Sequence, residues 1–129
     1  MSEFKYEFEV RDYECDIQGI VNNAVYLNYL EHTRHRYLQS RNLDFARMHD
    51  EGKDLVVIRS EIDYKASLKF DDKFYVTVDF SKVSRLKLLF EQKIFRVCAG
   101  RDDELILDAK VYGTCVDVVS RKPLLWDID

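Results

Sequence analysis

The residues best suited to chemistry lie just before a predicted helix. Asp16 is followed three residues later by Gly19, and Asn22 and Asn23 stand where the helix should begin. Asparagine is a good N-cap, so capping is the simplest role for these two side chains. A glycine before a helix also lets backbone N–H groups approach a ligand oxygen, and the helix N-terminus supplies positive potential. The stretch therefore suits a carbonyl oxygen that gains negative charge while a carboxylate acts beside it.

The spacing of this stretch resembles a known enzyme family. Asp16, Gly19 and Val21 follow the pattern Asp-x-x-Gly-x-Val, with Tyr26 five residues later and Glu31 five further on. The pattern is similar to that of the 4-hydroxybenzoyl-CoA thioesterase family, in particular its Tol-Pal-associated acyl-CoA thioesterase branch. The resemblance implies one hotdog domain over residues 1–129, an α+β fold in which a curved antiparallel five-stranded sheet wraps one long central helix. It also implies a homodimer or homotetramer with substrate sites between protomers.

The activity implied by the resemblance is hydrolysis of an acyl-CoA thioester to free acid and CoA. Asp16 would act as general base or as nucleophile, and the residues do not choose between these routes. Thiolate is a good leaving group, so we expect no metal and no cofactor. Backbone N–H groups from Gly19 to Asn23 would form the oxyanion site. The residues expected to contact the substrate there are Gly19, Val21, Asn22 and Tyr26.

One position departs from the family pattern. The Tol-Pal-associated branch usually has a histidine where this chain has Asn23, and the three histidines, His32, His35 and His49, lie elsewhere. Asparagine can orient water or donate to an oxyanion, but it cannot carry a proton near neutral pH. We therefore assign Asn23 an orienting role in catalysis and leave the proton path open.

Two other functions are compatible with the stretch. Residues 21–23 and Tyr26 resemble plant and bacterial acyl-ACP thioesterases, although those enzymes usually carry a histidine near Ile20, which this chain lacks. The other alternative is a non-catalytic acyl-CoA binding protein, and the presence of both Asp16 and Gly19 weighs against it. Dehydratases of the same fold need a histidine with a carboxylate, and no histidine lies in this loop.

Several side chains near the motif also have simple structural interpretations. Tyr26 belongs to an apolar helical stripe, which favours packing over substrate contact. Glu31 and Arg34 are three residues apart, so we expect a local ion pair. Cys15 has no nearby histidine to activate it, which favours a packing role. The histidines at positions 32 and 35 should be exposed rather than metal ligands.

Basic residues beyond the motif are candidates for the phosphates of CoA. Arg85 and Lys87 lie near the start of a predicted strand, and Arg121 with Lys122 follow the last one. Guanidinium and ammonium groups bind phosphate well. The competing interpretation is ordinary solvated charge, because such residues are common on protein surfaces.

The elements that must position these residues follow from hydrophobic periodicity. An alternating strand precedes the motif, and a helix runs from Asn22 or Asn23 to about Ser40. A short helix at 44–51 ends before Gly52. Four alternating strands follow, which we expect to form an antiparallel meander. Their predicted ranges are 55–70, 74–80, 86–97 and 105–119.

Composition narrows the class of protein. The 129 residues suit one domain, and a hydrophobic fraction of 47% supports an ordinary core. A net charge of -4 argues against a nucleic-acid partner, which usually needs a basic face. The first residues lack an apolar signal core, and no stretch approaches the ~20 apolar residues of a membrane span. We therefore expect a cytoplasmic protein with three free cysteines.

Overall fold

The computed structural model describes residues 4–125, which contain one sheet, two α-helices and a short 3₁₀ turn over Asp12–Glu14. The long helix and the preceding strand have the predicted positions. The elements in chain order are β1 Phe4–Glu9, α1 Asn23–Ser40, α2 Phe45–Asp50, β2 Lys53–Tyr64, β3 Lys73–Lys82, β4 Leu88–Arg96, β5 Glu104–Asp117 and β6 Pro123–Leu124.

The sheet is antiparallel, with strand order β1-β3-β4-β5-β2, and β6 pairs with β5. The expected antiparallel α+β architecture is confirmed. The meander holds for β3, β4 and β5, but it is wrong for β2, which pairs with the far side of β5 through contacts such as Val56 with Thr114. Alternation identifies a buried face but does not identify the neighbouring strand, so the sequence could not place β2. The sixth strand has only two residues, too few for any periodicity.

Strand β2 departs from the single buried face predicted for it. Its register with β5 shifts between Val57 and Arg59, which marks a bulge. Val57 and Ile58 are consequently both 51% exposed. The strand also ends at Tyr64 instead of continuing to residue 70, because the chain then turns toward β3. One long edge of the sheet therefore presents apolar side chains to solvent.

Helix α1 begins where its cap predicts. The side-chain oxygen of Asn22 accepts a hydrogen bond from the N–H of Ala24 at 2.9 Å, which makes Asn22 the N-cap. The buried stripe of the helix packs mainly against β1 and β3. Within it, the Tyr29 ring lies 4.7 Å from that of Phe74. Burial of each such aromatic or aliphatic side chain contributes about 1.5–3 kcal/mol, which fixes the helix on this half of the sheet.

Candidate active site

Asp16 opens a tight turn that leads back toward helix α1. Its N–H donates to the Ile20 carbonyl at 2.9 Å, and its own carbonyl accepts from the Gly19 N–H at 2.9 Å. Gly19 has φ +80°, a backbone conformation that residues other than glycine rarely adopt. The Asp16 carboxylate accepts from the Gln18 N–H at 2.9 Å and is otherwise exposed. Residues 15–21, closed at the base by the bridge between Cys15 and Val21, therefore form a short hairpin that carries the exposed Asp16 carboxylate. We call it the Asp16 hairpin.

A buried carboxylate ties this hairpin to the helix. Glu14 is 7% exposed, and it accepts hydrogen bonds from the Tyr29 hydroxyl at 2.7 Å and from the Arg11 N–H at 2.9 Å. Burial and the bond to Glu14 raise the pKa of Tyr29. The Glu14 carbonyl also accepts from the Asn22 N–H at 3.1 Å. Sequence reasoning missed Glu14; the available signal was a tyrosine on a buried stripe, whose hydroxyl needs a partner.

The other side of the hairpin rests on the segment between β2 and β3. The Val21 N–H donates to the Leu68 carbonyl, and the Leu68 N–H donates to the Tyr26 hydroxyl, each at 2.9 Å. Tyr26 is only 2% exposed, and burial raises its pKa. This placement favours the packing role of Tyr26 over direct substrate contact. Val21 is also buried, so it supports the hairpin from beneath.

Arg96 at the end of β4 holds the same segment in place. Its guanidinium donates to the Ser67 carbonyl and to the Asp72 carboxylate, both at 3.0 Å, and it also pairs with Glu104. The Asp72 carboxylate accepts in addition from the Lys69 N–H at 2.8 Å. Arg96 is another residue that sequence reasoning missed, because its two partners in this segment, Asp72 and Ser67, lie 24 and 29 positions away.

The bonding of the hairpin leaves two backbone donors available. The N–H groups of Gly19, Val21 and Asn22 are all engaged by backbone carbonyls. Across residues 4–125, no acceptor is bonded to the N–H of Ile20 or Asn23. The Asn23 side chain is exposed at the first turn of α1. The Asn23 N–H lies at the N-terminus of α1, where free donors attract negative charge, and the Ile20 N–H lies three residues before it in the chain. These two N–H groups are therefore the candidates for an oxyanion site.

Cys15 lies beside Asp16 but has the wrong environment for a thiolate. It packs against the core, and burial together with the carboxylates of Glu14, Asp16 and Asp12 raises its pKa. A raised pKa keeps the sulfur protonated and weakly nucleophilic. The packing interpretation of Cys15 is therefore favoured.

Two sequence expectations on α1 are wrong. Arg34 does not pair with Glu31; its guanidinium donates instead to the Gln92 side chain at 3.0 Å. His35 is half-buried against Phe45, with ring centroids 4.3 Å apart, rather than exposed. In both cases a residue outside α1 supplies the contact, which helix spacing alone cannot reveal.

The basic candidates for CoA phosphates lie far from Asp16 within one chain. Arg85 and Lys87 are exposed beyond the end of β3, whereas the hairpin adjoins the segment before β3 begins. Ten residues of strand separate these ends, or about 33 Å. Arg121 donates to Asp54 at 3.2 Å, so its charge is already partly compensated. A single chain does not bring these cations to the Asp16 hairpin.

Comparison with known proteins gives a consistent result. The family model described as the thioesterase-like superfamily matches residues 10–128. The acyl-acyl carrier protein thioesterase ATL3 of Arabidopsis thaliana is 36% identical over 118 residues, which cover 91% of this chain and 60% of that protein. The acyl-CoA thioesterase YbgC of Haemophilus influenzae is 31% identical over 122 residues, which cover 92% of this chain and 86% of that protein. The chain thus spans less than two thirds of the plant relative.

The fold also has close matches among solved structures. Slr0204, a 1,4-dihydroxy-2-naphthoyl-CoA thioesterase from Synechocystis, superposes with a TM-score of 0.87 at 20% identity, covering 96% of this chain and 89% of its own. At that identity the match concerns the fold alone. Within the described part of the chain, no helix is long and apolar enough to cross a membrane.

Proposed function

The chain belongs to the thioesterase-like superfamily and has the hotdog fold, and from this we propose that it hydrolyses acyl thioesters, with acyl-CoA as the substrate class. The observation that carries the proposal is the Asp16 hairpin. It holds an exposed carboxylate on the turn that leads into α1, and in the same stretch the N–H groups of Ile20 and Asn23 have no acceptor in residues 4–125.

In this proposal the thioester carbonyl lies between the Asp16 carboxylate and the start of α1. Two free N–H donors and the helix dipole would stabilise the oxyanion that forms during attack, and each such donor is typically worth about 2.7–4 kcal/mol. Asn23 would orient water or donate a further hydrogen bond through its exposed carboxamide. Gly19 allows this turn to form, because a residue with a side chain would be strained at φ +80°.

Asp16 can hydrolyse the thioester by either of two routes. As a general base it takes a proton from water, the resulting hydroxide adds to the carbonyl carbon, and the C–S bond breaks as the proton passes to the leaving thiolate. As a nucleophile it displaces the thiolate to form a mixed anhydride, which water then cleaves. Both routes yield free acid and thiol and begin with the same carboxylate.

A homodimer or homotetramer is part of the proposal. Asp16 and the neighbouring Ile17 are exposed in one protomer, so a second surface must enclose the acyl group. The edge strand β2 offers such a contact, because an unpaired edge with half-exposed Val57 and Ile58 favours association. A second protomer could also bring cations such as Arg85 and Lys87 closer to the hairpin than they lie within one chain.

Acyl carrier protein thioesters are the second candidate substrates. The 36% identity with a plant acyl-acyl carrier protein thioesterase favours them, although the chain spans only 60% of that relative. A cytoplasmic location also remains a prediction.

The test is a matched panel of short, long and aromatic acyl groups, each supplied as the CoA and as the carrier-protein thioester, with released thiol as the signal. We expect turnover of at least one CoA thioester that depends on Asp16. Turnover of carrier-protein thioesters alone would favour the second candidate. Binding of acyl-CoA without thiol release would instead favour the non-catalytic alternative and contradict the proposal.

A further inference from the structure

Glu14 is a buried carboxylate that takes no part in the chemistry proposed for Asp16. It stands two residues before Asp16 in the chain, and its side chain is 8% exposed. Taking a carboxylate out of water is costly unless hydrogen-bond donors compensate it. Three donors do so here: the Tyr29 hydroxyl at 2.7 Å, the Arg11 N–H at 2.9 Å and the Arg11 guanidinium at 3.3 Å. The carboxylate is therefore held at a defined place in the core.

The donors to Glu14 belong to two separate parts of the chain. Tyr29 lies in the second turn of α1 and is only 2% exposed. Burial and the bond to Glu14 raise the pKa of Tyr29, so its hydroxyl stays protonated and donates. Arg11 precedes the 3₁₀ turn that leads into the Asp16 hairpin. The side chain of Glu14 thus connects the entry to the hairpin with the body of the helix.

The backbone of Glu14 connects the same two parts a second time. Its carbonyl accepts from the N–H of Asn22, the N-cap of α1, at 3.1 Å. The next hydrogen bond of the hairpin joins the Asp16 N–H to the Ile20 carbonyl at 2.9 Å. A displacement of Glu14 would therefore move Asp16 relative to the start of α1, where the Asn23 N–H lies.

The relative position of Asp16 and the Asn23 N–H matters because both groups would act on one thioester carbonyl. A misplacement of about 1 Å between such groups can lower a rate by about 10²-fold. Within the described residues, the Asp16 carboxylate is bonded only to the Gln18 N–H of its own turn. Its place relative to the helix therefore depends on how the whole hairpin is attached.

We propose that Glu14 is a positioning residue, which through its bond to Tyr29 fixes the Asp16 carboxylate relative to the Asn23 N–H. The inference rests on the proposed thioester hydrolysis and adds a residue that acts through Asp16 without touching the substrate. The guanidinium of Arg11 is not required, because that side chain is 57% exposed and the backbone N–H of residue 11 donates whatever side chain is present.

The first test measures kcat and KM of Glu14→Gln and Glu14→Ala on the best acyl-CoA substrate of the parent protein. Glutamine keeps the size of the side chain and one acceptor oxygen, so it can retain one of the two short hydrogen bonds, whereas alanine retains neither. We expect kcat to fall at least about tenfold in Glu14→Gln and about a hundredfold in Glu14→Ala, with KM changed less than about threefold. Near-parental kcat in folded Glu14→Ala would overturn the proposal. If that variant does not fold, near-parental kcat in Glu14→Gln would do the same.

A double variant separates positioning of Asp16 from general support of the fold. In the Asp16→Asn background no carboxylate is left to misplace, so adding Glu14→Gln should lower the remaining kcat by less than about threefold. An equal fold-loss in both backgrounds would show that Glu14 acts independently of Asp16, and the proposal would then be wrong.

Two control variants address charge and stability. Arg11→Gln removes the exposed guanidinium but keeps the backbone donor, so it should keep parental kcat. Met48→Ala removes a buried side chain from the core cluster beneath α2 and leaves a cavity away from the hairpin. It should keep parental kcat at a temperature where it is folded. A loss in Met48→Ala as large as that in Glu14→Gln would overturn the assignment, because lower stability alone would then explain both.

The outcomes separate this inference from the proposed function. Turnover by the parent protein that does not depend on Asp16 would overturn both. Turnover that depends on Asp16 but not on the side chain of Glu14 would overturn only the positioning role.

Discussion

Replacing Arg96 by methionine should lower the free energy of unfolding by more than an ordinary surface substitution does. The Arg96 side chain is 17% exposed, and its guanidinium contacts the Ser67 carbonyl, the Asp72 carboxylate and the Glu104 carboxylate. Methionine fills similar space but leaves Asp72, which is 19% exposed, without its cation. Removing one member of a buried ion pair typically costs about 3–5 kcal/mol. Because Glu104 is 36% exposed and water can replace part of its interaction, we expect about 3 kcal/mol here.

Urea unfolding followed by circular dichroism measures this loss directly. For a domain of this size, about 3 kcal/mol corresponds to a fall in Tm of roughly 10 °C. Arg59→Met is the matched control, because Arg59 makes an exposed ion pair with Glu61 at 2.9 Å and should contribute less than about 1 kcal/mol. A loss for Arg96→Met no larger than that of Arg59→Met would refute the claim that this arginine holds the segment under the Asp16 hairpin.

Two further predictions concern the hairpin and a surface histidine. Tyr29→Phe removes the 2.7 Å bond to the buried Glu14 and should cost about 1–3 kcal/mol in urea unfolding, while Tyr13→Phe at an exposed position should cost almost nothing. The hydrogen bond between His49 and Asp54, 2.7 Å long, raises the pKa of His49 above its ordinary 6.5. The interaction therefore stabilises the fold below pH 6.5 and is lost as pH rises through the folded pKa. An NMR titration should show this pKa falling in Asp54→Asn; an unchanged value would contradict the assigned cause.

Local features of the fold were predictable from sequence, and features that depend on distant residues were not. Helix α1 has its expected start and end because the Asn22 cap and the apolar period are local signals. The predicted partner of β2 was wrong because β2 pairs with β5, which lies roughly fifty residues further along the chain. The bulge in β2 also interrupts the alternation of its side chains. Hydrophobic periodicity does not indicate which strand β2 pairs with or where its bulge lies.

The same division applies to the candidate site. The motif around Asp16 identified the hairpin, because the carboxylate, the glycine and the helix cap are close in sequence. Glu14 and Arg96 were missed because contacts that define their roles join residues distant in sequence: Tyr29 lies 15 positions from Glu14, and Asp72 and Ser67 lie 24 and 29 positions from Arg96. The predicted ion pair between Glu31 and Arg34 was wrong for a related reason. Gln92, 58 positions from Arg34, provides the competing hydrogen bond.

The central claim, that Asp16 starts the reaction, is tested most directly by the kcat of Asp16→Asn on the best acyl-CoA substrate of the parent protein. Asparagine keeps the size and most of the hydrogen bonding of the turn but cannot attack or accept a proton. General-base assistance alone contributes about 10² to 10⁴-fold, so kcat should fall at least about a hundredfold, with KM changed far less. Asn23→Ala should cost less, and Asp12→Asn, at a nearby exposed aspartate, should keep parental activity. A folded Asp16→Asn variant with near-parental kcat would contradict the mechanism.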